Sequence, residues 1–228
     1  DNAIEVDAGA GSSVIVGNYF GTDVSGTQAL GNSTTGTWGA IAVKSNNVVI
    51  GGTTTADRNL ISGNNGYGIE IYNSASGTII RGNYIGTTVT GTGALGNTAA
   101  GIYLHNSATN AVIGGANNGE ENIIANNGGD GIWITSGTNT SILRNTIHSN
   151  TGPGIDLGTN GVTANDLEDG DSGANNLLNF PVLTNVVQNG ANLDVTFSVD
   201  LPIGWYRIEF FANAGGADAT GFGEGQTF

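Results

Sequence analysis

A short apolar pattern that recurs along the chain constrains the fold more than any other feature. Residues 58–104 contain in turn Leu60-Ile61, Ile69-Glu70-Ile71, Ile79-Ile80, Tyr84-Ile85 and Ile102-Tyr103-Leu104, with Gly or Asn bordering most of these segments. Each segment is too short for a hairpin strand, and the spacing is too regular for a structureless tract. The pattern therefore predicts one turn of a repeating coil.

Three apolar segments make up each predicted coil. The first segment has the form Gly/Ala-Ile-x-Ile/Leu/Val and occurs at 3–6, 40–43, 68–71, 101–104, 131–134 and 154–157. The second is an apolar pair at 14–15, 49–50, 79–80, 112–113 and 142–143, and the third begins with Asn. Such self-similarity predicts a parallel β-solenoid in which each coil buries its apolar face against its neighbours. Six coils stacked ~4.8 Å apart form a rod roughly 25 to 30 Å long.

The larger repeating unit is a pair of coils. The loop 21–32 matches 86–97 at an offset of 65 residues, and 51–59 matches 114–122 at an offset of 63. Insertions therefore alternate between two corners of the cross-section. This arrangement indicates that duplication of a two-coil unit built the rod.

Composition narrows the classes of partner. The chain of 228 residues has a net charge of −14, which repels phosphate backbones and argues against a nucleic-acid partner. It has no Cys, so disulfides and thiolate metal sites are excluded. No apolar run approaches the ~20 residues of a membrane span. The chain also lacks Met and opens in mid-coil, so we expect it to be a segment of a longer protein.

An Asn opens the third segment in five successive coils. Stacked amides can hydrogen-bond along a rod, and a buried amide must satisfy its donors and acceptors. We therefore predict a structural Asn ladder rather than a catalytic role. Its members are Asn18, Asn59, Asn83, Asn122 and Asn145.

The repeat ends after Leu157. Residues 177–183, with Pro181, are expected to close the end of the solenoid, since an open end exposes unpaired backbone. Residues 193–199 and 205–212 then alternate apolar with polar residues, which indicates longer antiparallel strands. We predict a parallel β-helix with its closing segment over 1–183 and a partial antiparallel β-sandwich over 184–228.

Several sequence segments resemble those of a known class of proteins. They are Gly82-Asn83-Tyr84-Ile85-Gly86-Thr87, Ala94-Leu95-Gly96-Asn97, Arg58-Asn59-Leu60-Ile61-Ser62-Gly63-Asn64, and Leu178-Asn179-Phe180-Pro181-Val182-Leu183 followed later by Tyr206-Arg207-Ile208-Glu209-Phe210-Phe211-Ala212. Nearly the whole chain resembles large secreted or cell-surface bacterial or archaeal proteins with right-handed parallel β-helix repeats, followed by the start of a β-sandwich module. The resemblance implies an all-β fold and an extracellular or cell-surface location. It does not imply an activity, because such repeats occur in adhesins, filaments and polysaccharide-processing enzymes alike.

The outward positions of the first segment form two predicted columns on one face of the rod. The first column is Glu5, Ala42, Glu70, Tyr103, Trp133 and Asp156, and the second is Asp7, Lys44, Tyr72, His105, Thr135 and Gly158. Aromatic rings beside carboxylates suit sugar rings, so Tyr72, Tyr103 and Trp133 are candidate carbohydrate-binding residues.

The candidate catalytic residues on the same face are Glu70, His105 and Asp156. Glu70 and Asp156 could act as acid and base, but three coils place them ~14 Å apart, beyond the ~9.5 Å limit of an inverting pair. His105 beside Tyr72 and Tyr103 could instead form a lyase-like base cluster. The alternative is purely structural, because exposed strands favour aromatic and β-branched residues.

The acidic stretch 165–175 is a candidate calcium loop. Asp166, Asp169 and Asp171 are spaced so that their oxygens can converge on a hard cation. The spacing departs from an EF-hand loop, and a solvated acidic turn is the alternative.

We therefore predict a non-enzymatic, extracellular structural or adhesive β-solenoid, acting as a rigid spacer, surface-layer component or self-assembling filament subunit. The competing interpretation is a polysaccharide lyase, hydrolase or epimerase, or a carbohydrate-binding adhesin that uses the aromatic face.

Overall fold

The protein is a right-handed parallel β-helix. The repeat pattern predicts the parallel solenoid, and the resemblance implies its right hand. The computed structural model describes residues 1–32, 36–159, 161–214, 216 and 225–228. Sheet A contains six parallel strands, sheets B and C contain five each, and an antiparallel pair follows them. The described residues contain no helix long and apolar enough to cross a membrane.

The three parallel sheets take one strand from each coil. Sheet A consists of β1 (Ile4–Val6), β4 (Gly39–Val43), β7 (Tyr67–Ile71), β10 (Ile102–Leu104), β13 (Ile132–Ile134) and β16 (Ile155–Leu157). Sheet B consists of β2 (Val14–Ile15), β5 (Val49–Ile50), β8 (Ile79–Ile80), β11 (Val112–Gly114) and β14 (Ser141–Leu143). Sheet C consists of β3 (Tyr19–Phe20), β6 (Leu60–Ile61), β9 (Tyr84–Ile85), β12 (Ile123–Ala125) and β15 (Thr146–His148).

Aliphatic side chains pile up in files inside the rod. In sheet A, Ile41 pairs with Ile69, Ile69 with Ile102, and Ile102 with Ile132, and all four side chains are fully buried. Ile80 and Ile113 continue the equivalent file in sheet B. The interior is therefore lined with aliphatic side chains, and the burial of this apolar surface is the main favourable term in folding.

The corners of the coils depend on residues that tolerate positive φ. Gly86 (φ +85°) follows strand β9 of sheet C, and Gly114 (φ +82°) is the last residue of strand β11 of sheet B. A Cβ atom would lie 2.0 Å from the Ala125 carbonyl oxygen at Gly86 and 2.0 Å from that of Leu143 at Gly114. The next coil passes directly over each of these corners, so only Gly fits there.

The Asn residues of the third segment stack along the rod between sheets B and C. The Nδ2 groups of Asn59, Asn83 and Asn122 each donate to the Oδ1 atom of the next Asn, at 2.9, 3.0 and 2.8 Å, and Asn18 begins the column with a 3.3 Å contact to Asn59. The backbone N–H of each residue donates to the same oxygen. Asn145 receives the last of these bonds. The Nδ2 groups of Asn59, Asn83, Asn122 and Asn145 also donate to backbone carbonyls of sheet B, so the buried amides are paired both within the column and with the backbone.

A second ladder lies at the corner between sheets C and A, and the repeat pattern did not reveal it. Its Nδ2-to-Oδ1 distances are 2.9 Å or shorter throughout. The members are Asn32, Asn64, Asn97, Asn127 and Asn150. Together the two ladders hydrogen-bond two of the three corners of the cross-section.

The alternating insertions also stack on each other. The loops 21–32 and 86–97 each form a small antiparallel bridge, Thr22 with Ala29 and Thr87 with Ala94. The Val89 N–H donates to the Gly26 carbonyl at 3.0 Å, so the loop of the third coil contacts the loop of the first. The shorter connection of the second coil leaves the space for this contact.

The end of the rod is covered by the chain that follows it. The short helices η1 (Leu167–Asp169) and η2 (Ala174–Leu177) come after β16, and η2 contributes Ala174 to the core while Leu177 packs against it. The closing segment therefore begins a few residues earlier than predicted. The Asn175 side chain also exchanges hydrogen bonds with the Thr140 backbone, at 2.8 and 3.1 Å.

The C-terminal region differs from its prediction. β17 (Val182–Asn189) and β18 (Asn192–Ser198) form an exposed antiparallel pair, so β17 begins inside the predicted closing segment. The predicted strand over 205–212 is wrong. The Glu209 carboxylate instead accepts from the Arg144 N–H at 2.8 Å, which turns this segment toward the end of the rod. In the described residues one antiparallel sheet is present, and the β-sandwich stays a prediction.

Removing one rung from a ladder is expected to destabilise the fold strongly. Asn83→Ala removes the Oδ1 atom that accepts from the buried Asn59 backbone N–H and Nδ2, so both donors lose this partner. It also removes one of the two donors to Asn122 Oδ1. The loss in the free energy of unfolding is expected to be about 3 kcal/mol, measured by urea denaturation. The control Asn189→Ala, on the exposed antiparallel pair, should cost less than about 0.5 kcal/mol. Equal losses in the two variants would contradict the role of the ladder.

Candidate functional site

The outer face of sheet A brings the candidate residues together. The strand register aligns Glu5 with Ala42, Glu70, Tyr103, Trp133 and Asp156 in one column across the sheet. Tyr72 and His105 each follow the second inward aliphatic residue of their coil, so they form the neighbouring column. Adjacent members of a column are about 5 Å apart.

Five rings on this face form a continuous stack, which we call the ring stack: Tyr67, Tyr72, Tyr103, His105 and Trp133. The His105 ring lies 5.2 Å from Tyr72 and 4.4 Å from Tyr103, each with an interplanar angle of 7°. Tyr103 also stacks on Tyr67 and Trp133, with 4.6 Å between ring centroids in both cases. The faces of Tyr103 and His105 are therefore covered by other rings of the protein.

Glu70 lies beneath the ring stack instead of on the surface. Its side chain is buried, and Oε2 accepts from the Gly39 N–H at 3.0 Å, while His105 Nε2 lies 2.9 Å from Oε1. Gly39 makes room for it, since a Cβ atom there would lie 2.7 Å from that of Glu70. The prediction of an exposed Glu70 is therefore wrong, because the rings of the next coils fold over it.

Asp156 is also buried, contrary to its predicted exposure. Oδ2 accepts from the Gly161 N–H at 2.8 Å, while Oδ1 has no hydrogen-bond partner among the described residues. Burial raises the pKa of Asp156. Tyr103 and Trp133 separate it from Glu70 in the column, so the two carboxylates do not face a common reacting position.

Asp130 is a second buried carboxylate near Asp156. It is 5% exposed, and burial together with the negative charge of Asp156 raises its pKa to about 6. No ion pair to either carboxylate occurs in the part of the chain that the structure describes. Two uncompensated buried carboxylates weaken the fold when both are ionised.

Sequence reasoning missed both Tyr67 and Asp130. Each stands two positions before the first inward Ile of its coil, Ile69 and Ile132 respectively. Tyr67 pairs with Gly39, so strand β7 begins earlier than the short repeat pattern indicates. A third outward column at this position could have been read from the repeat alignment.

The aromatic candidates have different surroundings. Tyr103 has three rings within 4.6 Å of its centroid, which leaves little of it for a sugar. Tyr72 lines a cavity of about 710 Å³ with Trp38 and Lys44, and Trp133 lines another of about 570 Å³ with Thr135 and Thr163. The ring stack therefore joins two concave regions on one face, and only its ends border a cavity.

The acidic loop has internal partners. Asp166 Oδ2 accepts from the Gly170 N–H at 3.1 Å, and Asp169 Oδ1 accepts from the Asn179 N–H at 2.7 Å. Partial desolvation and then the charges of Asp166 and Asp169 raise the pKa of Asp171. Across the described residues no group of three or more His, Asp or Glu side chains has metal-binding geometry. Calcium binding here stays a prediction.

The comparison with known protein families agrees with the architecture. Residues 86–169 match the family described as right handed beta helix region. The matched part runs from the loop after β9 in the third coil to the end of the short helix η1. No curated protein and no solved structure gives a significant match. The right-handed β-helix is thus supported by both sequence and structure, and an activity has to be argued from the geometry of the face itself.

Asp130→Asn is expected to stabilise the protein near neutral pH. The pKa of Asp130 is about 6 in the folded chain against an ordinary value of 3.8. Folding therefore costs free energy once the carboxyl ionises, and this cost grows as pH rises from about 4 to about 6. The variant should gain about 1–3 kcal/mol at pH 7 and nothing below pH 4.

Urea denaturation of both proteins across this pH range measures the effect. Asp200→Asn, which changes an exposed carboxylate beyond β18, is the control. It should not become more stable than the parent as pH rises from 4 to 7. A variant that is equally stable at pH 4 and destabilised at pH 7 would contradict the burial of an uncompensated charge.

Proposed function

We propose that this chain is a non-enzymatic structural module of an extracellular or cell-surface protein, acting as a rigid spacer or adhesion surface. The observation that carries the proposal is the use of the polar residues. Ten Asn side chains form two ladders along the rod. The candidate catalytic groups on sheet A are likewise engaged in packing. The rod is thus held together by its own side chains, without disulfides.

The engagement of Glu70, His105 and Asp156 supports a structural role over catalysis. Glu70 is 3% exposed and Asp156 is 1% exposed, so neither carboxylate reaches a ligand on the surface. His105 lies between two tyrosine rings with Nε2 toward Glu70, which fixes the ring in the stack. A general acid or base must come within hydrogen-bond reach of its substrate.

Among the structural roles, a spacer or display surface fits better than a filament built by head-to-tail stacking. The C-terminal ends of sheets B and C are covered by Asn175, Glu209 and Gly225, whose contacts reach Thr140, Arg144 and Ile147. A second copy would have to displace these contacts in order to add a coil there. Self-assembly through another surface is compatible with the proposal.

The extracellular location rests on the resemblance to secreted and cell-surface β-helix proteins. The acidic surface and the absence of Cys are compatible with it. Antibody labelling of intact cells of the native host tests this part. Labelling that requires permeabilisation would contradict it.

Rigidity can be measured directly, because the chain has no native Cys. Val24→Cys in the first coil and Thr151→Cys after β15 place two exposed spin labels near opposite ends of the rod. Pulsed electron–electron double resonance is expected to give one narrow distribution of the distance between the two labels, since the ladders fix the coil spacing. The same two labels in an Asn83→Ala variant are the comparison, and their distance distribution should be broader. A broad distribution in the parent would contradict a rigid spacer.

A non-enzymatic module is also expected not to turn over polysaccharides. The protein is incubated with acidic and neutral polysaccharides, and new reducing ends and unsaturated products are assayed. The parent and His105→Gln are expected to be equally inactive. Turnover by the parent that His105→Gln abolishes would replace the structural proposal with an enzymatic one.

A further inference from the structure

The cavity beside Trp133 differs from the rest of the sheet A face. Its volume is about 570 Å³, within the ~300–1,000 Å³ range of small-molecule sites. Trp133, Gly158, Gly173 and Leu177 provide apolar walls, and Thr135, Thr159 and Thr163 provide hydroxyl groups. No Asp, Glu, Lys, Arg or His side chain lines it among the described residues.

Trp133 is fixed in position before any ligand arrives. The ring stacks on Tyr103 at 4.6 Å, and Nε1 donates to the Gly158 carbonyl at 3.3 Å. These contacts tie the indole, which belongs to the fifth coil, to both the fourth and the sixth coil, and in this position it borders the cavity. A preorganised aromatic wall loses little conformational entropy when a ligand packs against it.

The threonine hydroxyls add hydrogen-bonding groups near this wall. Thr163 Oγ1 donates to the Leu157 carbonyl at 2.7 Å, which leaves its lone pairs as acceptors. Thr135 Oγ1 lies 3.4 Å from the Tyr103 hydroxyl, and Thr159 is exposed at the rim. An aromatic wall with several neutral hydroxyls matches a sugar ring, which has apolar C–H faces and a border of hydroxyls.

Electrostatics decides between neutral and acidic sugars. The net charge is −14, and the cavity has no cationic side chain to pair with a uronate carboxylate. Asp156 stands beside Trp133 in the column, so additional negative charge lies close by. A carboxylate-bearing sugar would meet repulsion without a compensating partner.

We propose that this cavity binds one pyranose ring of a neutral glycan, with Trp133 as the stacking platform. This inference goes beyond the spacer role and does not depend on it, because binding here requires neither turnover nor rod rigidity. It also limits the predicted carbohydrate face to one end of the ring stack. Tyr103 then supports Trp133 and does not touch the sugar.

Fluorescence of Trp133 itself provides the test. The chain has three Trp residues, so Trp38→Phe with Trp205→Phe leaves Trp133 as the reporter. Titration with neutral oligosaccharides of glucose, xylose, mannose and N-acetylglucosamine should give a saturable emission change with at least one of them. Oligogalacturonate should give no saturable change.

Two further variants make the test specific. Thr159→Tyr places a bulky side chain at the rim while leaving the ring stack intact, and it should weaken binding about tenfold or more. Thr55→Tyr, at an exposed position on the second coil, should bind as the parent does. The proposal is overturned if no neutral glycan saturates, if Thr159→Tyr binds equally well, or if oligogalacturonate binds as tightly as the neutral sugars. None of these outcomes bears on the turnover or rigidity experiments.

Discussion

The fold depends on hydrogen bonds to the backbone groups and Asn side-chain amides that each coil buries at its corners. Aliphatic files supply the driving force, yet they cannot hydrogen-bond the chain at a corner. The two Asn ladders do so, because each side chain accepts two hydrogen bonds from one neighbour and donates to the other. Their polarity is uniform, with every rung donating toward the C-terminal coil. The direction and spacing of the stack are therefore fixed together.

The same stacking geometry shapes the functional face. A parallel register keeps outward side chains about one strand spacing apart, which is close to the contact distance of aromatic rings. Rings in successive coils consequently pack on each other and bury the carboxylate beneath them, as His105 and Tyr103 do over Glu70. Only a ring that ends the stack, such as Trp133, retains a free side for a ligand. An aromatic-rich column is thus largely a structural element, with recognition confined to its ends.

The sequence predicted those parts of the fold that repeat locally. The files of Ile and the first Asn column follow from the spacing of residues within each coil. The second ladder was missed because its distance in sequence from the first varies between coils: Asn59 and Asn64 are separated by a short connection, but Asn83 and Asn97 by an inserted loop. The burial of Glu70 depends on groups from two other coils, the Gly39 backbone and the His105 ring, which no local pattern encodes. Residues 205–212 alternate like a strand, but contacts with the end of the rod prevail there.

The insertions carry a consequence for how such rods change length. Loops of the first and third coils meet across the second, through Val89 and Gly26, and the Gly119 and Thr53 loops approach each other across the third coil. Removing a single internal coil would place two coils with the same loop pattern next to each other. At one corner two long loops would then meet, and at the other corner two short ones. Growth and shortening by recombination should therefore proceed in steps of two, which makes the coil pair the heritable and engineerable building block of this architecture.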